Sequence, residues 1–74
     1  MLVKLEDARG RVIDAEHEDR GLVGDFYEAV YRVGGREIVS RVDRALVEVN
    51  GNSAAFRMCE DMAVLEAHGY ALVR

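Results

Sequence analysis

The pair Gly34-Gly35, set between "FYEAVYRV" and "REIVSRV", constrains this chain more than any other feature. Two glycines accept the positive φ values of the tight turns whose twist matches that of paired strands, so the spacing predicts an antiparallel hairpin. Counting outward from the turn, Tyr31 falls opposite Ile38, Ala29 opposite Ser40 and Tyr27 opposite Val42, which makes one face largely apolar. The same register sets Arg32 against Glu37 and Glu28 against Arg41 on the other face, with Val30 and Val39 between the two pairs. A slip of one residue would spoil both faces at once. Exposed pairs of this kind contribute only about 0–1 kcal/mol each, so their expected role is to hold register and keep the face soluble. If the hairpin binds anything, the expected contact is the Val30/Val39 strip or the strand edge.

The rest of the chain is punctuated by glycine, since it holds seven Gly and no Pro. "LVKLEDARGRVIDA" reads as a first hairpin, closed by a turn over Asp7-Ala8-Arg9-Gly10 with Gly10 left-handed and with Met1, Val3 and Leu5 on one face. "EHEDRGLVGD", residues 16–25, has no sustained apolar period and reads as a connecting loop anchored by Leu22 and Val23. Asp43 is placed to cap a short helix over "RALVEV" that stops at Asn50-Gly51, and a further strand over 43–50 is the rival reading. After Asn52-Ser53, the residues Ala55, Met58, Cys59, Met62 and Leu65 recur at helical spacing, with Arg57, Glu60, Asp61 and Val64 away from that stripe. Gly69 stops this helix, and "YALV" after it is expected to return as a strand beside the hairpin. The expected fold is therefore α+β: a small antiparallel sheet of about four to five strands, packed on one face by one long helix near 53–68.

At 74 residues the chain is expected to be a single domain, 1–74, with any binding site on its surface. A chain of this size buries only about 60% of its unfolded surface, which makes association with a second copy or a partner favourable. A net charge of −4 argues against general binding to a nucleic-acid backbone. Nine of the ten basic residues are Arg and they are scattered, a pattern suited to intramolecular carboxylate pairing. The single cysteine rules out an intrachain disulfide and suits a reducing cytoplasm, and no apolar run approaches the roughly 20 residues of a membrane helix. The expectation is a cytoplasmic protein with no membrane association.

Candidate chemistry is sparse. The acidic run Asp14, Glu16, Glu18 and Asp19 around His17 offers oxygen ligands, but it lacks the Gly and distal Glu of a calcium loop, so no metal is expected. His17 and His68 fall in no two-His zinc motif, and His68 suits the last turn of the long helix, where a cation is favoured. Cys59 lies in the apolar stripe beside two Met residues and reads as a buried small hydrophobe. The adjacent carboxylates Glu60-Asp61 and Glu6-Asp7 do not face one another, and "GGRE" joins strands rather than opening a helix onto a phosphate. Phe26, Tyr27, Tyr31 and Tyr70 are expected in or at the rim of the core. No catalytic residue and no cofactor is expected, and the chain reads as no enzyme.

"GGREIVSRVDRAL" (residues 34–46), followed by "AFRMCEDMAVLEAHGYALV", resembles a family of small uncharacterised bacterial proteins built as hairpin, short capped helix, long helix and last strand, over residues 26–73. That family carries no assigned activity, so the resemblance implies the fold alone. In kind, a compact acidic chain without catalytic motifs is similar to the small inhibitors that phages and mobile elements encode, anti-CRISPR proteins among them, and this likeness implies occupation of a partner's surface. Two functions follow as expectations. The first is a small acidic protein-interaction module that binds a protein, such as a basic nucleic-acid-handling surface, through Asp14, Glu16, Glu18 and Asp19 with Val30 and Val39. The alternative is a structural domain that forms a homodimer through the hairpin edge or the valine strip.

Overall fold

The computed structural model describes residues 1–73. Its elements run β1 (Leu2–Glu6), β2 (Val12–Val23), β3 (Phe26–Val33), β4 (Arg36–Asp43), α1 (Arg44–Val49), α2 (Ala54–Ala67) and β5 (Ala71–Leu72). The strands form one antiparallel sheet in the order β4-β3-β2-β1-β5, so the fold is α+β.

Gly34 and Gly35 turn β3 into β4 at φ values of 56° and 73°, which suits the primed turns that hairpins favour. The register is the expected one, with Tyr31 opposite Ile38, Arg32 opposite Glu37, Val30 opposite Val39 and Glu28 opposite Arg41. The first hairpin also forms: the Gly10 N–H donates to the Asp7 carbonyl at 3.0 Å. The Asp7 carboxylate accepts from the backbone N–H groups of Arg11 and Arg9, which holds its pKa below the usual carboxylate range. Leu5 is fully buried, whereas Met1 is 74% exposed rather than on the core face. It precedes β1, and its ammonium group is drawn to Glu16 and the His17 carbonyl.

The largest departure from the sequence reading lies at residues 16–25. Rather than a loop, this segment carries β2 on to Val23, paired first with β1 and then with β3. Both of its side-chain rows are polar, which hides the strand from a hydrophobic period. One row, Asp14, Glu16 and Glu18, is neutralised by cations, and the other places His17 on the Tyr31 ring with a centroid separation of 4.7 Å. A bulge interrupts the β2–β3 register between Asp19 and Gly21, leaving Arg20 as the extra residue, and the Asp19 carboxylate accepts the Gly21 N–H at 2.9 Å.

Residues 44–49 are helical, which excludes the rival strand: the Asp43 carboxylate caps the Ala45 N–H at 2.8 Å. Ser53 caps α2 by accepting from the Phe56 N–H at 3.2 Å. The inward side of α2 keeps the Leu65 end of the predicted stripe but not its start. Ala55 and Cys59 are exposed and Met58 is 46% exposed, while Asp61 and Leu65 are buried. Arg57, Asp61 and Leu65, at i, i+4 and i+8, form the side that meets the sheet, and the Cys59 thiol lies among the exposed residues. The helix is turned this way because the sheet offers it hydroxyl groups and a carboxylate as well as apolar surface. After Gly69 the chain adds β5 to β1, with Leu72 opposite Leu5. It therefore lies at the edge opposite β4, not beside the Gly34-Gly35 hairpin.

The core cluster is Leu5, Ala15, Ala29, Tyr31, Val33, Ile38 and Leu65. Full burial of a Leu or Ile side chain stabilises by about 1.5–3 kcal/mol, so Leu5, Ile38 and Leu65 carry much of what a small core provides. No helix among the described residues is long and apolar enough to cross a membrane.

Candidate functional site

On the sheet face away from Asp61, the charged side chains form a continuous chain of alternating sign. Arg41 donates to Glu28 at 3.1 Å, Arg20 donates to both Glu28 and Glu18 at 2.8 Å, and Arg32 donates to both Glu18 and Glu37 at 3.1 Å. Arg20 and Arg41 hold the Glu28 carboxyl below the usual carboxylate range, and Arg20 and Arg32 do the same for Glu18. The bulge makes this possible, because the extra residue brings Arg20 between two carboxylates.

Val30 stands at the centre of this lattice, with Glu28 and Arg32 along its own strand and Glu18 and Val39 across from it. It is 0% exposed. The expected contact strip of Val30 and Val39 is therefore half absent: Val30 is enclosed, and only the partly buried Val39 reaches solvent. The long Arg and Glu stems that meet above the sheet shield it, as such stems do when their heads pair.

The acidic run is likewise engaged within the molecule. Asp14 pairs with Lys4 at 2.6 Å, Glu16 with the N-terminal ammonium at 3.1 Å, Glu18 with Arg20 and Arg32, and Asp19 with Arg57 at 2.9 Å. Asp14, Glu16 and Glu18 share one face of β2 and Asp19 the other, so the structure does not bring the four together. Among the described residues, no three of His, Cys, Asp and Glu converge as ligands of one ion.

Beneath α2 lies a polar cluster that the sequence reading missed. Asp61, 8% exposed, accepts a hydrogen bond from the Tyr31 hydroxyl at 2.9 Å and another from the Ser40 hydroxyl. Arg57 stacks over the Tyr27 ring at 4.6 Å and donates to Asp19, whose carboxyl is held low mainly by the Gly21 N–H and then by Arg57. A cleft of about 160 Å³ opens between these groups, lined by His17, Asp19, Tyr31, Arg57, Met58 and Asp61. Its chemistry is that of a tie: each Asp61 oxygen already accepts a proton donor, and burial together with the Asp61 bond pushes the Tyr31 phenol well above its ordinary pKa. A phenol held in its protonated form is a donor, not a base. One signal for the cluster was present in the sequence, since Ser40 interrupts an otherwise apolar row and Asp61 lies one helical turn from both Arg57 and Leu65.

The Tyr31 environment predicts a pH dependence. A folded-state pKa raised above the unfolded value gives a stabilising contribution that is complete below about pH 10 and is lost as the pH rises through the folded value. Urea midpoints measured from pH 8 to pH 11 are expected to fall more steeply for the wild type than for Tyr31→Phe. Parallel slopes would show that Tyr31 is not the group responsible.

At the end of the molecule where β2 turns into β3, large apolar side chains face solvent: Leu22 at 48%, Val23 at 47% and Phe26 at 41% exposure. The Arg44 N–H donates to the Asp25 carbonyl at 2.9 Å, which brings the start of α1 to the same place. From α1, Leu46 at 45% and Val49 at 84% exposure share the outward side, while Val47 is buried. Asp25 and Asp43 flank this patch and form no ion pair among the described residues. The sequence reading placed Phe26 in or at the rim of the core and treated Leu22 and Val23 as anchors; it lacked the topology that carries all three to a tip.

Comparison of the chain with protein-family models, with curated proteins and with solved structures returned no match.

Proposed function

We propose that this chain is a non-enzymatic, cytoplasmic protein-interaction module that binds a partner through the tip formed by the β2–β3 turn and α1. The observation that carries the reading is the gathering of Leu22, Val23, Phe26, Leu46 and Val49 at one end, all exposed, with Asp25 and Asp43 as an acidic rim. Scattered apolar side chains on a surface need no explanation, but Val23 and Phe26, paired across the β2–β3 turn with Leu22 on its other face, add to Leu46 and Val49 of the adjoining α1 an apolar end of the sort that marks an interaction site. The matching partner surface is apolar at its centre and basic at its rim. Phe26 is the natural anchor, since aromatic side chains contribute most at such centres.

This reading relocates the expected acidic contact. Asp14, Glu16, Glu18 and Asp19 are each paired with a cation of the same chain, so their charge is largely spent internally, whereas Asp25 and Asp43 have no such partner among the described residues. Occupation of a basic surface on a host protein is also the mode implied by the likeness in kind to small phage-encoded inhibitors.

The test is a comparison of three immobilised baits against a lysate of the native host: wild type, Phe26→Lys with Leu46→Lys, and Asp14→Asn with Glu16→Gln. The tip variant is expected to lose the captured protein, and the acidic-run variant to keep it. The reverse pattern would return the binding site to the acidic run and sink the tip reading. Because the contact is mainly apolar, capture is expected to change little with added salt.

A further inference from the structure

We infer that two copies of this chain associate through β4, edge to edge and antiparallel, about a two-fold axis that passes through Val39. β4 is the long free edge of the sheet. It spans Arg36–Asp43, is paired along its whole length on one side only, and lies opposite an edge closed by the two-residue β5. Soluble monomers usually blunt such an edge with proline, a bulge, a short strand, a covering segment or charged side chains, lysine above all; the charges of β4 are Arg36, Glu37, Arg41 and Asp43, of both signs. Here the chain holds no proline and the β3–β4 register runs without a bulge. Among the described residues, no turn or cap hydrogen bond reaches the β4 backbone from outside the β3–β4 ladder.

The phase of the ladder determines which backbone groups are free. A two-residue turn closes on a hydrogen-bonded pair, here Val33 and Arg36, so alternate residues from Arg36 onward bond to β3. The N–H and C=O groups of Glu37, Val39 and Arg41 consequently point away from the sheet. With Val39 on the two-fold axis, the Val39 backbone bonds its own copy, and Glu37 and Arg41 bond the other chain's Arg41 and Glu37. The result is about six backbone hydrogen bonds across the axis.

The side chains select this register over its neighbours. It places Glu37 opposite the second chain's Arg41 and Arg41 opposite the second chain's Glu37, all on the face that carries the alternating ion pairs, with valine against valine at the centre. Ile38 then meets Ser40 on the core face. Centring the pairing on Ser40 would instead set Glu37 against Asp43, two acids, and centring it on Ile38 would leave Glu37 opposite Val39. Pairings that flip one sheet would set the charged row against buried Ile38 and Val42. The side chains of Glu37 and Arg41 are 51% and 61% exposed, so each keeps surface for a second partner beside its intramolecular one. In the dimer the Arg41–Glu28–Arg20–Glu18–Arg32–Glu37 chain of one copy joins that of the other at both ends, giving one charge-balanced lattice across a ten-stranded sheet.

This surface centres on Glu37, Val39 and Arg41 and meets the tip only at Asp43, the last residue of β4, so variants away from Asp43 test the two independently. In sedimentation equilibrium from low micromolar to about millimolar protein, the wild type is expected to shift from monomer to dimer. Val39→Pro removes only an outward N–H, a place where an edge strand tolerates proline, and is expected to weaken the dimer by at least about tenfold while keeping the wild-type circular dichroism spectrum. Glu37→Arg and Arg41→Glu are each expected to remain monomeric, since each makes its edge row like-charged, and their equimolar mixture is expected to form the mixed dimer. Phe26→Lys with Leu46→Lys is expected to dimerise as the wild type does. A wild type that stays monomeric throughout would overturn the proposal. So would a mixture of the two charge variants that shows no association, and this arm stands even if Val39→Pro fails to fold.

Discussion

Asp61→Ala is expected to destabilise the protein by about 2–4 kcal/mol, because it removes the acceptor of two buried hydroxyl donors at once and leaves Tyr31 and Ser40 without partners. In a domain of this length each kcal/mol moves the melting temperature by roughly 4–8 °C, so the transition is expected to fall by roughly 8–32 °C, as read by circular dichroism. The cost comes from orphaned donors rather than from the lost charge. Asp61→Asn, which keeps one acceptor oxygen, is therefore expected to be intermediate, and the triple change Asp61→Leu, Tyr31→Phe and Ser40→Ala to recover much of the loss. A single Asp61→Ala variant that melts within about 2 °C of the wild type would mean that the cluster holds nothing together.

Val30→Asp is expected to do more. Val30 is fully buried on the charged face, so the change forfeits the roughly 1.5–3 kcal/mol of a buried valine and places a carboxylate between Glu18 and Glu28 with no free cation beside it among the described residues. The uncompensated buried charge adds several kcal/mol, and the total approaches the entire stability of about 5–15 kcal/mol that native domains possess. The variant is expected to be largely unfolded at 25 °C by near-ultraviolet circular dichroism and by urea titration. Val39→Asp, on the rim of the same strip, is expected to remain folded. If both variants fold equally well, the ion-pair lattice does not enclose Val30 and the strip is ordinary surface.

These two residues mark where a reading of the chain succeeds and where it stops. Positions 26–43 were legible in detail because every constraint there is local: a glycine pair sets the turn, the turn sets the register, and a period of two assigns each side chain to a face. The cap at Asp43 was legible for the same reason, since a side-chain oxygen reaches only two or three residues along its own chain. The 16–23 part of β2 was hidden, because a strand whose outer row is neutralised by the N-terminus and by side chains of β1, β3 and β2 itself shows no apolar alternation of its own. The side of α2 that meets the sheet was hidden too. Two stripes compete on that helix, Ala55-Met58-Cys59-Met62-Leu65 and Arg57-Asp61-Leu65; they share the buried Leu65, and hydropathy favours the first, of which Ala55, Met58 and Cys59 are exposed.

The central hairpin, its register, the long helix and the class of fold follow from the sequence, because they rest on backbone preferences and on contacts a few residues apart, whereas residues 43–50 admitted a strand until the structure showed α1. What covers each surface follows only from the tertiary structure. It paired the acidic run with cations of the same chain, closed Arg and Glu stems over Val30, carried Asp61 under the helix to two hydroxyls, and gathered Leu22, Val23, Phe26, Leu46 and Val49 at one tip. Each of those outcomes joins groups far apart in the chain, and whether a charge is spent or free, or an apolar side chain covered or bare, depends on which distant neighbour the fold delivers to it.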